Sequence, residues 1–479
     1  MLEDIIKERI KKVSELRKRG IDPYPLTASR QYPIEFALQK FNAWLRAKKK
    51  VVVAGRIKAI RGHGALIFAD LSDQNSQIQI ILKADILGKE KIKFFEDFID
   101  LGDFIEVAGK FYLTQKKEKS VLVSNFKILA KSLRPLPKSW YGLENIEERY
   151  RKRYLDLLVN QEVKQRFVVR SKIISLIRDY LNREGFLEVE TPILQTLYGG
   201  ANAKPFITHL DNLDLTLYLR IAPELYLKRL IVGGFEKIYE LGRNFRNEGL
   251  DREHNPEFTM LELYEAYKTR DDLMKLISDL ILYVVKNLKN EINVKFSSKK
   301  RWPVIDYEEL LKKHTGLALT DDKTKWLTKS RDFQIAANQN DSVAKISELI
   351  FKKIRSQIIE PTFVINQPVE ISPLAKTCPK DPLKAHRFQL IVGGWEIVNG
   401  FSELNDPLEQ RKRFDWQQEM RVKGDLEAHP QDKDFLEALE YGLPPTAGLG
   451  VGIDRLVAVL TGAPSLNEVI LFPFMKPLN

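Results

Sequence analysis

Cysteine is nearly absent: Cys378 is the one thiol in 479 residues. That excludes a disulfide framework and any thiolate-rich zinc site, and fits an unpaired thiol in a reducing compartment. No apolar run approaches the roughly 20 residues needed to cross a bilayer. The opening MLEDIIKERIKK is charged throughout and has no apolar signal core, so a cytoplasmic protein with no membrane partner is expected. Internal repeats and low-complexity tracts are also missing. No glycine stands at the spacing a P-loop needs before Gly-Lys-Ser/Thr, and no G-x-G-x-x-G opens a strand–helix unit. Two common ways of holding a nucleotide are thereby excluded.

What is present is ordinary for a globular enzyme, with 44% hydrophobic and 30% charged residues, which argues against long disorder. The length exceeds what one hydrophobic core supports, so two or more domains are expected. A formal net charge of +12 favours a polyanionic partner such as nucleic acid without requiring one.

Residues 2–19 carry Leu2, Ile6, Ile10, Val13 and Leu16 at helical spacing, and Gly20, Pro23 and Pro25 end that helix. From Lys50 the period switches to two. VVVAGRIKAI, ALIFADL, SQIQIILK, DFIEVAGKFYL and VLVSNFKIL predict five strands, with a short helix after the third. That order is the order of an OB-fold barrel. Phe68 and Gln79 could stack on and hydrogen-bond an unpaired base, although a solvated barrel face is the plainer reading of those residues alone. LRPLP, from Leu133 to Pro137, marks a linker.

The resulting organisation is a lead-in with an amphipathic helix over 1–48, an OB-fold domain over 49–132, a linker over 133–150 and a large domain over 151–479. The large domain is predicted as α+β, with an antiparallel sheet flanked by helices and a helical insertion near 290–360. A helix over 166–185 puts Val169, Ile173, Leu176, Ile177 and Tyr180 on one stripe and is capped by Gly185. FLEVETP reads as a strand closed by Pro192. Further helices are expected at 223–232, 270–290 and 341–357, and strands at 236–248, 257–267, 387–404 and 447–453.

Chemistry concentrates in FRNEGLDREHNPEFTMLELYEAY, residues 245–267. On two strands joined by LDREHNP, alternation aligns Asn244, Arg246 and Glu248 on one and Phe258, Met260, Glu262 and Tyr264 on the other. Arg246 has the planar fork that suits phosphate oxygens, and Phe258 offers a stacking face to a purine. A hairpin with exposed salt bridges would look the same. GLPPTAGLGVGIDRLVAVL changes that balance. Gly448, Gly450 and Gly452 strip side chains from one face of a strand, so a flat ligand can lie against the backbone, and Arg455 follows at the start of a helix.

GFLEVETP, FRNEG…HNPEF and GLGVGIDRL resemble the three signature motifs of class II aminoacyl-tRNA synthetases. RYRKRYLDLL, AKPFITHL, LRIAPELYLKRLIVGGFEKIYELGRNFRNEG and GFSELNDP resemble the bacterial lysyl-tRNA synthetase family. The likeness runs over essentially the whole chain, to VILFPFMKP. It implies that lysine's carboxylate attacks the α-phosphate of ATP and releases pyrophosphate, and that lysine then passes to the terminal ribose of tRNA(Lys). Under that resemblance Arg246 and Arg455 are the catalytic pair. Arg246 holds the α-phosphate, Glu248 and Asn255 the adenine edge, Phe258 the ring, His254 the outer phosphates, and Arg455 the other adenine face and γ-phosphate, with Glu396, Gly450 and Gly452 completing the ATP site. Glu224, Glu262 and Tyr264 match positions for lysine's amines, Gly200 a loop that closes over the amino acid, and Asn399, Phe401 and Glu403 the side-chain pocket.

Mg2+ is implied as well, on Glu396 and Glu403; these differ in strand parity, so a bulge near Gly400 is expected to turn both inward. Gln389 stands where the family generally has an acidic ligand, and Asn125 where the anticodon-reading set of Phe68 and Gln79 commonly includes an acid. A homodimer is implied, with Pro192 at its two-fold interface. Two alternatives stay open. An aspartyl or asparaginyl enzyme would need a cation facing the substrate side chain, where Glu224, Glu262 and Glu403 supply anions. A non-catalytic RNA-binding or regulatory protein on the same scaffold has Gln389 in its favour and Arg246, Glu248, Phe258, Glu396 and Arg455 against it.

Overall fold

The computed structural model describes residues 2–62, 64–137, 143, 145–292, 301–422 and 430–478. Two compact units divide the chain, Met1–Glu144 and Asn145–Asn479.

In the first unit the strands β1 (Lys50–Arg61), β2 (Leu66–Ser72), β3 (Gln77–Lys83), β4 (Phe104–Leu113) and β5 (Lys119–Ala130) close into a barrel in the order β1-β2-β3-β5-β4. Alternation decides what faces in. Ile67, Ala69, Leu71, Ile78, Ile80 and Leu82 fill the barrel core, while Phe68 and Gln79 stay half-buried on the opposite face. The helical link after β3 is broken at Gly88, whose φ of 85° only glycine adopts without strain. The N-terminal helix, Leu2–Lys18, buries only Val13 and Leu16 of its predicted apolar stripe. Leu2 and Ile10 are exposed, so that stripe meets the unit's core only over its last two turns.

The second unit is built on an eight-stranded, mostly antiparallel sheet. Its strands are β6 (Leu187–Glu188), β10 (Lys237–Phe245), β11 (Glu257–Ala266), β12 (Val304–Asp306), β13 (Thr362–Ile365), β16 (Arg387–Val392), β17 (Trp395–Ser402) and β18 (Thr446–Gly452), in the order β12-β13-β16-β17-β18-β11-β10-β6. Beside it lie a three-stranded sheet of β7 (Leu194–Gln195), β8 (Ile207–Leu210) and β9 (Leu215–Leu219), and a small hairpin of β14 (Thr377–Cys378) and β15 (Asp381–Ala385). One face of the large sheet supplies Tyr239, Leu261, Leu263, Leu390, Val398, Ala447, Leu449 and Val451 to the main core, against the helices Gln161–Arg183, Arg270–Asn287 and Ile453–Thr461. The residues between these in sequence face the other way, and there the site forms.

Several predicted elements come out differently. The helix expected from 166 starts at Gln161 and ends at Gly185, with φ 82°. FLEVETP pairs only through Leu187 and Glu188. Residues 387–404 are a hairpin turned at Gly393 and Gly394, both at positive φ. The expected insertion is not purely helical, because Val304–Asp306 extends the sheet beside β13. Helices Tyr307–Thr315, Lys323–Asp332 and Val343–Ile354 then close a small core around Tyr307, Trp326 and Ile350. Residues 293–300 of that stretch lie outside those described.

Candidate active site

Pairing register writes the site across the sheet. Glu240, Glu262, Gly450, Asn399 and Gln389 oppose one another in turn over five strands, and Ile238, Tyr264, Gly448, Phe401 and Arg387 form the next row. The middle strand is bare in both rows. A Cβ on Gly448 would collide with the Tyr264 ring and Glu403 Oε1, and one on Gly450 with the Met260 methyl. Above this strip is a cavity of about 550 Å3, which Gly200, Glu224, Arg246, Glu262, Phe401 and Arg455 help to line. A hollow of about 160 Å3 adjoins it over Asn255, Phe258, Ile397 and Gly452. Arg246, Glu248, His254, Glu396, Gly450 and Arg455 line both.

Arg246 follows β10, and its N–H donates to Pro256 O at 2.9 Å, which extends the hairpin pairing by one step. Its guanidinium lies 5.0 Å from the centre of the Phe258 ring. Burial lowers its pKa, with Glu248 acting the other way. Asn255 donates to Glu257 O, and its buried Oδ1 has no partner among the described residues; an acceptor is left facing a purine-sized hollow. His254 Nδ1 sits 2.8 Å from Asp251 Oδ2, and Arg455 Nη2 is 3.3 Å from His254 Nε2. That arrangement needs the proton on Nδ1 and the lone pair on Nε2. Arg455 Nη1 also donates to Glu396 O at 3.1 Å.

The far end of the cavity is acidic. Tyr264 Oη donates to Glu262 Oε2 at 3.2 Å. Burial, then the nearby charge of Glu224, pushes the Glu262 carboxyl up to about 8 against the pull of Arg246. Glu224 begins the helix Glu224–Val232 and packs against Gly200, whose φ of 85° and close approach exclude a side chain. One turn on, buried Lys228 donates to Glu224 Oε1 at 2.6 Å and pairs with Glu403 Oε2. The charges of Glu224 and Glu403 hold Lys228 above its ordinary value although burial lowers it.

Two expectations about β17 are corrected here. The bulge lies at Ile397, not near Gly400: Leu390 pairs with Val398 but Ile391 with Glu396. That reset puts Glu396 on the face of Asn399, and Ile397 and Val398 both enter the core. Glu403 is no companion of Glu396 as a metal ligand. Seven residues of extended chain separate them by about 20 Å, and Glu403 is engaged by Lys228. Among the described residues no group of three or more His, Cys, Asp or Glu side chains is arranged for a metal. Glu396, held low by Arg355, Arg455 and Arg387 although burial alone would raise it, is the carboxylate at this end. Gln389 is neutral and accepts from Gln367 Nε2 at 3.3 Å.

Arg355, Arg387 and Lys228 went unnoticed in the sequence. Lys228 had a signal, since it lies four residues after Glu224 on one helix face. Arg387, which donates to Asn399 Oδ1 at 2.8 Å, shares strand parity with Gln389. Arg355 had none. In the barrel, Gln79 Oε1 accepts from Ser120 Oγ at 3.0 Å, and Asn125 Oδ1 from Lys91 Nζ at 3.0 Å. Pro192 is exposed, one residue ahead of exposed Ile193 and Leu194.

An antiparallel sheet that floors a nucleotide-sized cavity with a bare strand, in a chain that also carries an OB barrel, defines a class II aminoacyl-tRNA synthetase. Family models agree with this, one of class II tRNA synthetases (D, K and N) over residues 145–476 and one of the OB-fold nucleic acid binding domain over 51–129. The chain is 47% identical to the lysine–tRNA ligase of Carboxydothermus hydrogenoformans over 99% of both proteins. It is 47% identical to that of Pelotomaculum thermopropionicum, over 99% of this chain and 96% of the relative. With that of Thermotoga maritima the identity is 43%, over 100% and 97%. The chain belongs to the lysine–tRNA ligase family.

Proposed function

We propose that the chain is a lysine–tRNA ligase that joins L-lysine to tRNA(Lys) at the expense of ATP. The observation that carries this reading is the polarity of one cavity. Glu224, Glu262 and Glu403 gather at one end and Arg246, Arg455 and His254 at the other, with bare glycines between them. Lysine has two ammonium groups for the acidic end, and ATP has a triphosphate for the basic one.

Activation forms a bond from a lysine carboxylate oxygen to the α-phosphorus and breaks the bond from that phosphorus to the oxygen bridging to the β-phosphate, so pyrophosphate leaves. No protein nucleophile is required. Arg246 holds the α-phosphate and the charge that builds there, Phe258 and the Asn255 Oδ1 acceptor hold the adenine, and Arg455 and His254 hold the outer phosphates. Glu262 and Glu224 take the α-ammonium, and Glu403 the ε-ammonium beside Phe401. The terminal ribose hydroxyl of tRNA then attacks the lysyl carbonyl carbon, and AMP leaves. A Mg2+ ion fits beside Glu396 if it draws its remaining ligands from phosphate and water; when bound it screens charge on the triphosphate. The barrel presents Phe68 and Gln79 to anticodon bases.

A second copy of the chain completes the assembly. Ile193, Leu194, Ile207, Leu213 and Leu215, on or next to the strands of the three-stranded sheet that follows Pro192, are exposed, and Ile207 reaches 69% of full exposure. Such a patch on one small sheet calls for cover, and a single mass of two chains by light scattering at micromolar concentration would meet it.

Lysine-dependent ATP–pyrophosphate exchange tests the assignment. Exchange with lysine, reduced about 10²- to 10³-fold by Arg246→Ala as for loss of a charge-stabilising group, is the expected result. Exchange driven by aspartate, or with no amino acid, refutes it.

A further inference from the structure

Arg355 lies on the short turn of 3-10 helix after Val343–Ile354, within the stretch the sequence offered only as an insertion. It is 7% exposed and lines the large cavity. Its Nη2 donates to Glu253 Oε2 at 2.6 Å, and its Nη1 to Glu396 Oε2 at 3.1 Å. Glu348 and Lys352 line the same cavity, and the spacing from 348 through 352 to 355 puts all three on one helical stripe. Four cations, Arg355, Arg455, Arg387 and Lys352, bear on Glu396. Gln389, the next candidate for a carboxylate on that face, carries no charge.

We infer that Arg355 is a phosphate-binding group, a fixed cation that the insertion places beside Glu396 to receive the β,γ end of ATP and the pyrophosphate that leaves. The inference rests on the ATP-binding half of the proposed function and deepens it. A guanidinium fork can exchange a carboxylate for phosphate oxygens of similar geometry. Glu253 belongs to the loop between β10 and β11 that also carries His254. Arg355 ties that loop to β17; once phosphate arrives, the same guanidinium turns from Glu253 to the ligand, and Glu396 is partly relieved of its partner. Divalent metal is correspondingly less needed there, because one positive charge is already built in.

Calorimetry on the full chain with inorganic pyrophosphate, and separately with ATP, checks this in EDTA and in magnesium. Wild type is expected to bind pyrophosphate without divalent metal. Arg355→Ala should weaken that binding at least tenfold, Arg355→Lys should recover part of it, and lysine affinity should stay within twofold. Arg355→Gln, which stays polar and fills more of the space but carries no charge, decides the matter if the alanine variant melts far below wild type. Pyrophosphate affinity unchanged in the uncharged variants overturns the inference, as does lysine affinity falling in step, or a wild type that binds pyrophosphate only with magnesium. If lysine fails to drive exchange while pyrophosphate binding still needs Arg355, the amino-acid assignment falls and this one stands.

Discussion

Lys228 and Glu403 form an ion pair with both side chains sealed from solvent, and Glu224 takes the same ammonium from one turn away. The pair is stationed where the substrate's own ammonium is expected, so Lys228 sets how much negative charge is left for it. Glu403 Oε2 is occupied, while Oε1 looks over Gly448. Lys228→Met would strand two carboxylates in a buried pocket, and breaking a buried pair from one side costs about 3–5 kcal/mol. The variant is expected to lose stability of that order in denaturant unfolding. Its remaining carboxyls should hold protons more tightly, so lysine KM rises more than kcat falls. Wild-type stability together with wild-type lysine KM would show that the pair matters to neither.

Glu262 makes the pocket sensitive to pH. Its carboxyl titrates near 8 in the fold against 4.5 ordinarily, a raised value, so its contribution to stability is complete below 4.5 and is lost as pH climbs through 8. Glu224, Arg246, Arg220 and Tyr264 surround it, and lysine's ammonium binds only the ionised form. Lysine-free enzyme should therefore melt lower from pH 6 to 8.5 while the increment given by saturating lysine grows. Calorimetry at pH 7 in buffers of different ionisation enthalpy should report protons released on lysine binding. Proton uptake there would contradict the placement of lysine.

The glycines of β18 differ in what a methyl would meet. At Gly448 it strikes the Tyr264 ring and Glu403 Oε1, both held by buried partners, whereas at Gly450 it strikes the free end of Met260, which can swing aside. Gly448→Ala should raise lysine KM by an order of magnitude or more. Gly450→Ala should act mildly, and on ATP before lysine, because Met260 must move toward the nucleotide side. Equal effects of both on lysine KM would mean that Gly448 is not under the amino acid.

Periodicity made the barrel legible, since Ile78 and Ile80 alternate with Gln77 and Gln79 and glycine or charge marks each turn. It also put Glu262, Tyr264, Gly448, Gly450, Asn399 and Phe401 on one face, because strand parity survives folding. It failed at Ile397, where one extra residue in β17 reverses the parity and nothing in WEIVNG marks the place. Arg355 was hidden for another reason. Its partners Glu253 and Glu396 are 102 and 41 positions away, and a charged residue at a helix end looks solvated until the sheet beside it is known. The strand Val304–Asp306 is too short for its pattern to differ from a loop.

Barrel and catalytic chemistry should separate cleanly in assay. Phe68 is half-buried on the barrel's outer face, and Gln79 keeps its amide nitrogen while its oxygen accepts from Ser120. Stacking of one base on one aromatic ring contributes about 1–3 kcal/mol, so Phe68→Ala should raise the KM for tRNA(Lys) roughly 5- to 150-fold. ATP–pyrophosphate exchange needs no tRNA and should be unchanged, because every residue placed at the reacting atoms lies beyond Asn145. Gln79→Glu puts a carboxylate beside Asp70, which already pairs with Arg61 at 2.8 Å, and should weaken tRNA through repulsion of phosphate as well as the lost donor. Loss of exchange in Phe68→Ala would mean that this face acts on the catalytic unit instead of reading the anticodon, and unaltered charging would remove Phe68 from tRNA recognition altogether.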